Sequence, residues 1–210
     1  MTLYRVVRAI VWAISKTVFR LSVEGAERLP ASGPYVIAPT HRSNLDSFFV
    51  ALVTKRRVRF MAKQEIWKVR WLGRLAEALG AFPVDRAGAD RAALRTAMAC
   101  VEAGEPLVVF PEGTRRRGPV VEDLHDGAAY VAARLGVPIV PIGIGGSEAI
   151  LPKGAKVPRL KKVHLVVGDP LRAPDRDGGS VKRSDVRELT DGIEVALQKV
   201  FDEARTAVGE

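Results

Sequence analysis

Short runs of apolar residues alternate with amphipathic stretches along the 210 residues of this chain. Nearly continuous apolar runs at 35–39, 107–110, 139–144 and 163–167 predict strands buried on both faces. Shorter runs at 21–24, 58–62 and 81–84 predict three more. Between them, apolar positions at helical spacing predict helices near 45–53, 67–79, 89–103 and 127–135. A last helix over 186–207 places Val186, Leu189, Ile193, Leu197, Val200 and Phe201 on one face. Alternation of this kind predicts a single α/β domain, with a central mostly parallel or mixed sheet flanked by helices. Residues 173–184 read as a surface loop, and no repeat or long Gly/Ser linker interrupts the pattern.

The first 23 residues stand apart from the domain expected over 24–210. Arg5, Arg8, Lys16 and Arg20 share one broad helical stripe, and Leu3, Val7, Ile10, Val11, Ile14, Val18 and Leu21 fill the rest. No acid appears before Glu24, and Trp12 lies toward the cationic stripe. A wide apolar face beside a purely cationic one predicts an amphipathic helix lying in a membrane interface. The longest uncharged stretch, 9–15, is far short of the ~20 apolar residues a spanning helix needs. No small-residue cleavage site follows, so a secretory signal is not expected.

Composition narrows the partners. Hydrophobic residues at 47% and charged residues at 27% exclude a disordered chain. A net charge of +9, from 33 Lys plus Arg against 24 Asp plus Glu, favours an anionic partner. The 6% of aromatic residues and the lack of a recognisable motif argue against nucleic acid. Residues 55–70 carry seven cations against one acid, with Trp67 and Trp71 nearby, and 151–162 carry five cations and no acid. Both suit anionic headgroups, or else a solvated basic face. The lone Cys100 reads as a small buried hydrophobe. His41, His125 and His164 lack metal-ligand spacing, so no metal is expected.

Candidate chemistry gathers at strand ends. After the 35–39 strand come Thr40-His41-Arg42-Ser43-Asn44-Leu45-Asp46. A turn here would bring the Asp46 carboxylate to one imidazole nitrogen of His41, fixing its tautomer and leaving the other nitrogen to take a proton. On these two residues alone, Asp46 reads equally well as a helix N-cap. Ser43 and Ser47 lie close by, but neither sits in a nucleophile elbow, which ranks a serine hydrolase low. The 107–110 strand breaks at Pro111 and delivers Glu112, Gly113, Thr114 and Arg115 into a loop. Glycine permits close backbone approach to a ligand, and a hydroxyl beside a guanidinium suits phosphate oxygens. A polar turn with a solvated arginine cluster is the alternative. Arg86, after the 81–84 strand, offers a second phosphate ligand or half of a surface pair with Asp85. Pro138 and Pro141 bracket an apolar run that reads as a shaped wall.

In order, these stretches resemble the four motifs of the glycerolipid acyltransferase family, whose type members are 1-acyl-sn-glycerol-3-phosphate acyltransferases. His41 and Asp46 match its His-x4-Asp motif. Gly80, Phe82 and Arg86 match the second, Phe110 to Arg115 match Phe-Pro-Glu-Gly-Thr-Arg without a gap, and Val137 to Pro141 match the fourth. Lys63 fits a lysine found between the first two. The resemblance covers roughly residues 33–143, and Arg116-Arg117 depart from the serine that often follows the third motif.

The resemblance implies that His41 acts as general base on a hydroxyl, oriented by Asp46, with no acyl-enzyme. It implies that Lys63, Arg86, Glu112, Gly113, Thr114 and Arg115 bind substrate. Arg86 and Arg115 would hold the acceptor's phosphate, and Glu112 either binds glycerol hydroxyls or orders the arginines. The implied partners are a lysophosphatidate acceptor in the membrane and an acyl thioester donor, acyl-CoA or acyl carrier protein. No cofactor is implied, and the place of action is the cytoplasmic face of the cell membrane, bound peripherally. Glycerol-3-phosphate or another lysolipid is the competing acceptor. A non-catalytic basic membrane module is the competing class, though it has no need of His41 and Asp46.

Overall fold

The computed structural model describes residues 2–84, 91–152, 155, 157–173 and 181–210. Among the described residues seven strands form one sheet: β1 (Ser22–Glu24), β2 (Val36–Pro39), β3 (Arg59–Lys63), β4 (Ala81–Val84), β5 (Leu107–Val108), β6 (Ile139–Gly145) and β7 (His164–Val167). Their spatial order is β1-β7-β6-β2-β5-β3-β4. All neighbours are parallel except β6 and β7, so the sheet is mixed. The helices are α1 (Thr2–Thr17), α2 (Asp46–Val50), α3 (Arg70–Ala78), α4 (Arg91–Glu102), α5 (Gly127–Leu135), α6 (Ser147–Ile150) and α7 (Arg183–Thr206).

The two-residue period of β2 explains the layering. Val36 and Ala38 face the side covered by α4, α5 and the start of α7. Tyr35 and Ile37 face the side holding Phe19, Phe49 and Val53. Residues pointing both ways are fully buried, as in a sheet covered on both faces. The second half of α7 lies directly on β6. A Cβ on Gly143 would stand 2.1 Å from the Val200 carbonyl oxygen, and one on Gly145 would stand 2.2 Å from that of Ala204. Only glycine lets this helix approach so closely.

Pro141 sits inside β6, which has neighbours on both sides. Its missing N–H is accommodated by a bulge. Ile142 pairs with Val167 and Ile139 bridges Leu171, so one extra residue is looped out of the partner segment opposite Pro141.

Several elements are shorter than their pattern predicts. The helix expected over 45–53 is only Asp46–Val50, because Ala51 to Val53 close in tight turns. The 67–79 helix is preceded by a 3-10 turn, Gln64–Lys68, and begins at Arg70. The 107–110 strand is regular only over Leu107–Val108, although Val109 still donates to the Ile37 carbonyl at 2.9 Å. The expected loop at 173–184 lies mostly outside the described residues, and α7 begins three residues earlier than its apolar pattern predicts.

Among the described residues no helix is long and apolar enough to cross a membrane. Helix α1 buries Tyr4 and Ser15 against the domain and leaves Leu3, Val6, Ile10 and Ile14 exposed.

Candidate active site

The central strand β2 ends between β5 and β6, and its continuation carries His41 out of the sheet. Thr40 extends the ladder: its N–H donates to the Ile142 carbonyl, and its Oγ1 accepts from the Ile144 N–H. The chain then reverses in a turn over residues 41–46. Ligand sites in open α/β sheets collect at this carboxyl end of the strands.

A single carboxylate oxygen builds the turn. Asp46 Oδ2 accepts from the Arg42 N–H at 2.7 Å and the Ser43 N–H at 2.6 Å. It also lies 3.0 Å from His41 Nδ1. Asp46 is the first residue of α2 and points back into the turn, so it is not an N-cap. Its side chain is fully buried, while the His41 side chain keeps 11% exposure. With Nδ1 held by a carboxylate, Nε2 is the ring nitrogen left to exchange a proton. The ring stacks on Phe110, with centroids 4.1 Å apart and planes at 29°.

The motif following β5 closes over this turn. Glu112 Oε2 accepts from the His41 N–H at 2.7 Å, and the Arg116 N–H donates to the His41 carbonyl at 2.9 Å. Gly113 takes φ 65°, and a Cβ there would lie 2.6 Å from His125 Cδ2. His125 is thus packed beneath the loop. Thr114 is exposed and Arg115 half-buried on the same loop.

The Glu112 carboxylate differs from a substrate contact. It is fully buried, and Arg42 Nη1 reaches its two oxygens at 2.6 and 2.8 Å. Its partner is Arg42, which neither role implied for Glu112, binding glycerol hydroxyls or ordering Arg86 and Arg115, had named. Burial pushes the Glu112 carboxyl above the ordinary glutamate range, and Arg42 and the His41 N–H pull it part of the way back. Arg42 also donates to the Gly118 and Val120 carbonyls, and its guanidinium lies 4.7 Å from the Phe201 ring centroid. One buried cation therefore ties the His41 turn, the Glu112 loop and the terminal helix together. Sequence reasoning missed Arg42 as a site residue. Its place beside His41 was visible, but its partner 70 positions away was not.

Lys63 ends β3, in register with Val84 of β4. Arg86 lies outside the described residues. Ser43 is buried and its hydroxyl donates to the Leu151 carbonyl at 3.1 Å rather than to a base, which weakens the hydrolase reading. His164 pairs with Ser22 at 2.7 Å across β1 and β7, a structural place for it.

An apolar cavity of about 290 Å³ lies between α1, α2, β3 and α3. Val11, Phe48, Phe60, Ala76 and Ala81 line it, and Asn44 and Ser47 bring the His41 turn and α2 to its wall. Elongated aliphatic groups suit such a space.

Likeness to known proteins bears on this arrangement. The family model described as Acyltransferase matches residues 20–145. The 1-acyl-sn-glycerol-3-phosphate acyltransferase of Bacillus subtilis is 30% identical over 156 residues, 74% of this chain and 75% of that one. The chloroplastic 1-acyl-sn-glycerol-3-phosphate acyltransferase LPAT1 of Arabidopsis thaliana is 28% identical over 163 residues, and the chain spans only 46% of its length. The crystal structure of the 1-acyl-sn-glycerophosphate (LPA) acyltransferase PlsC from Thermotoga maritima aligns with a TM-score of 0.73 at 26% identity. That alignment covers 95% of this chain and 80% of that one.

Proposed function

This chain belongs to the acyltransferase family, and from that premise we propose that it transfers a fatty acyl group from an acyl thioester to the hydroxyl of 1-acyl-glycerol-3-phosphate, making phosphatidic acid. The observation that carries the reading is the His41–Asp46 pair at 3.0 Å, with His41 at the carboxyl end of the central strand.

His41 Nε2 takes the proton of the acceptor hydroxyl as its oxygen attacks the thioester carbonyl carbon. The C–S bond then breaks, and the departing thiolate takes that proton back from the imidazolium. No acyl-enzyme forms. General-base assistance of this kind supplies roughly 10²–10⁴-fold. Asp46 holds the tautomer and stabilises the charged ring. Thr114 and Arg115, on the loop packed against the His41 turn, bind the acceptor's phosphate with Lys63 and Arg86, and Gly113 shapes that loop. The cavity beside Asn44 and Ser47 takes an acyl chain. The donor is acyl-CoA or acyl carrier protein.

Residues 1–23 serve as the membrane-associating segment of the acyltransferase domain at 24–210. Exposed Leu3, Val6, Ile10 and Ile14 support contact with an anionic membrane surface, reached peripherally from the cytoplasmic face.

The test is acyl transfer by the purified chain to lysophosphatidic acid, glycerol-3-phosphate and other lysolipids from both donors, with His41→Ala as control. Phosphatidic acid from the wild type and loss of turnover in a folded His41→Ala protein are expected. Near-normal rates in that variant would exclude His41 as the base.

A further inference from the structure

The chain between α6 and β7 is not used by the mechanism above, and it has an unusual surface. Val157 and Leu160 are 76% and 74% exposed, among the largest exposures of any described apolar side chains. Arg159, between them, and Lys161, just after, are exposed as well. From Ala149 to Gly168 the sequence holds no acid at all. Aliphatic side chains held out in water at this exposure, each beside a cation, mark a surface built for contact.

Topology puts this surface at the active end of the molecule. Because β7 is antiparallel to β6, with Gly145 in register with His164, the connection between them runs along the sheet end where β2 releases His41. Its start is tied to the catalytic turn, since the Ser43 hydroxyl donates to the Leu151 carbonyl. The Arg159 N–H returns to the Ile150 carbonyl at 2.8 Å. Its end is tied to the membrane-facing helix segment, since the Val163 N–H donates to the Phe19 carbonyl at 3.0 Å. Val18, the exposed apolar residue that closes the α1 stripe, precedes that bond.

We infer that residues 157–161 form a second membrane-contact element, separate from α1, in which Val157 and Leu160 enter the headgroup layer of an anionic bilayer while Arg159 and Lys161 meet lipid phosphates. The inference rests on the acyltransferase reading for its purpose: this element and the carboxyl end of α1, joined through the Val163–Phe19 hydrogen bond, hold the mouth of the site against the surface that supplies the acceptor. Charge complementarity names the occupant. Cations interleaved with protruding aliphatics match anionic headgroups over acyl chains.

Co-sedimentation of the full chain with vesicles of phosphatidylcholine alone, and of phosphatidylcholine with phosphatidylglycerol, tests it. V157S/L160S should partition roughly tenfold less onto the mixed vesicles, as loss of two aliphatic contacts requires. R159Q/K161Q should chiefly remove the gain that phosphatidylglycerol gives. Both variants should keep wild-type melting curves and wild-type transfer from acyl-CoA to a short-chain, monomerically soluble lysophosphatidate. Unchanged partitioning of V157S/L160S overturns the inference. If that is joined by a selective loss of transfer from acyl carrier protein, the patch belongs to an acidic protein instead. Failure of the acyltransferase reading itself would appear separately, as absence of transfer by the wild type whatever its partitioning.

Discussion

Arg42 and Glu112 meet at 2.6 Å in a pocket closed to water, although 70 positions separate them in the chain. Asp46 gathers the turn that carries Arg42, and Glu112 follows strand β5, so the ion pair locks the two active-site segments together. Breaking such a pair by removing one partner strands a buried charge.

Arg42→Met should therefore destabilise the fold by about 3–5 kcal/mol at neutral pH. The lost partner pushes the Glu112 carboxyl further up, so stability should recover as the pH is lowered and the carboxyl takes its proton. Pairing Arg42→Met with Glu112→Leu should restore the melting temperature but not kcat, because the turn keeps its packing and loses its register. Urea titrations at two pH values, with steady-state rates, check this. A single variant as stable as wild type at every pH would contradict it.

The raised Glu112 pKa gives the wild type an acid limb with a definite sign. As pH falls, this carboxyl protonates before an ordinary glutamate would, and the charge that holds Arg42 and accepts the His41 N–H is lost. In the window between the ordinary and raised values, the folded state binds the proton more readily than the unfolded one. This group therefore adds stability as pH falls and loses it as pH rises through the raised value. Acid inactivation should precede unfolding. Glu112→Gln should work slowly at every pH and lack the limb. Rates and melting curves that fall together with pH would refute this.

Asp46→Asn separates orientation from packing. The amide oxygen can still accept from Arg42 and Ser43, so the turn should persist and the melting temperature should change little. That oxygen still meets His41 Nδ1, but a neutral amide cannot stabilise an imidazolium as a carboxylate does. A fall in kcat of roughly 10³–10⁴ is expected, with KM for the acceptor nearly unchanged. Stopped assays with saturating donor measure it, and a fall of less than tenfold would remove Asp46 from the mechanism.

The sequence made the strands and the motifs legible for a simple reason. Runs such as Ile139 to Ile144 are buried on both faces, so burial leaves few polar interruptions to blur them. The His41–Asp46 pairing was readable as a turn because both partners lie within six residues. Two other features had no local trace. The reversal of direction at β7 depends on how the chain returns from α6, and nothing in the apolar run at 163–167 encodes direction. The inward aim of Glu112 depends on Arg42 and on Phe201, which the fold assembles from distant segments. The sequence therefore offers Glu112 as a ligand of glycerol hydroxyls or a support for Arg86 and Arg115, not as the partner of Arg42.

The cavity walls should set which acyl chains are used. Ala76 of α3 and Ala81 of β4 leave space between α1 and the sheet, and the lining is almost wholly apolar. Ala76→Leu adds three carbons to that space without adding a polar group. A chain that must pass Ala76 would meet the new side chain, and overpacking of this kind costs about 1–3 kcal/mol. At ~1.4 kcal/mol per tenfold, long-chain donors should lose roughly 5- to 150-fold in kcat/KM. Donors too short to reach Ala76 should be used as before, and the melting temperature should hold or rise as the void fills. Competition assays with a graded series of acyl-CoA lengths read the shift directly. A uniform loss across all lengths would mean that the acyl chain lies elsewhere and that Ala76 matters only to packing.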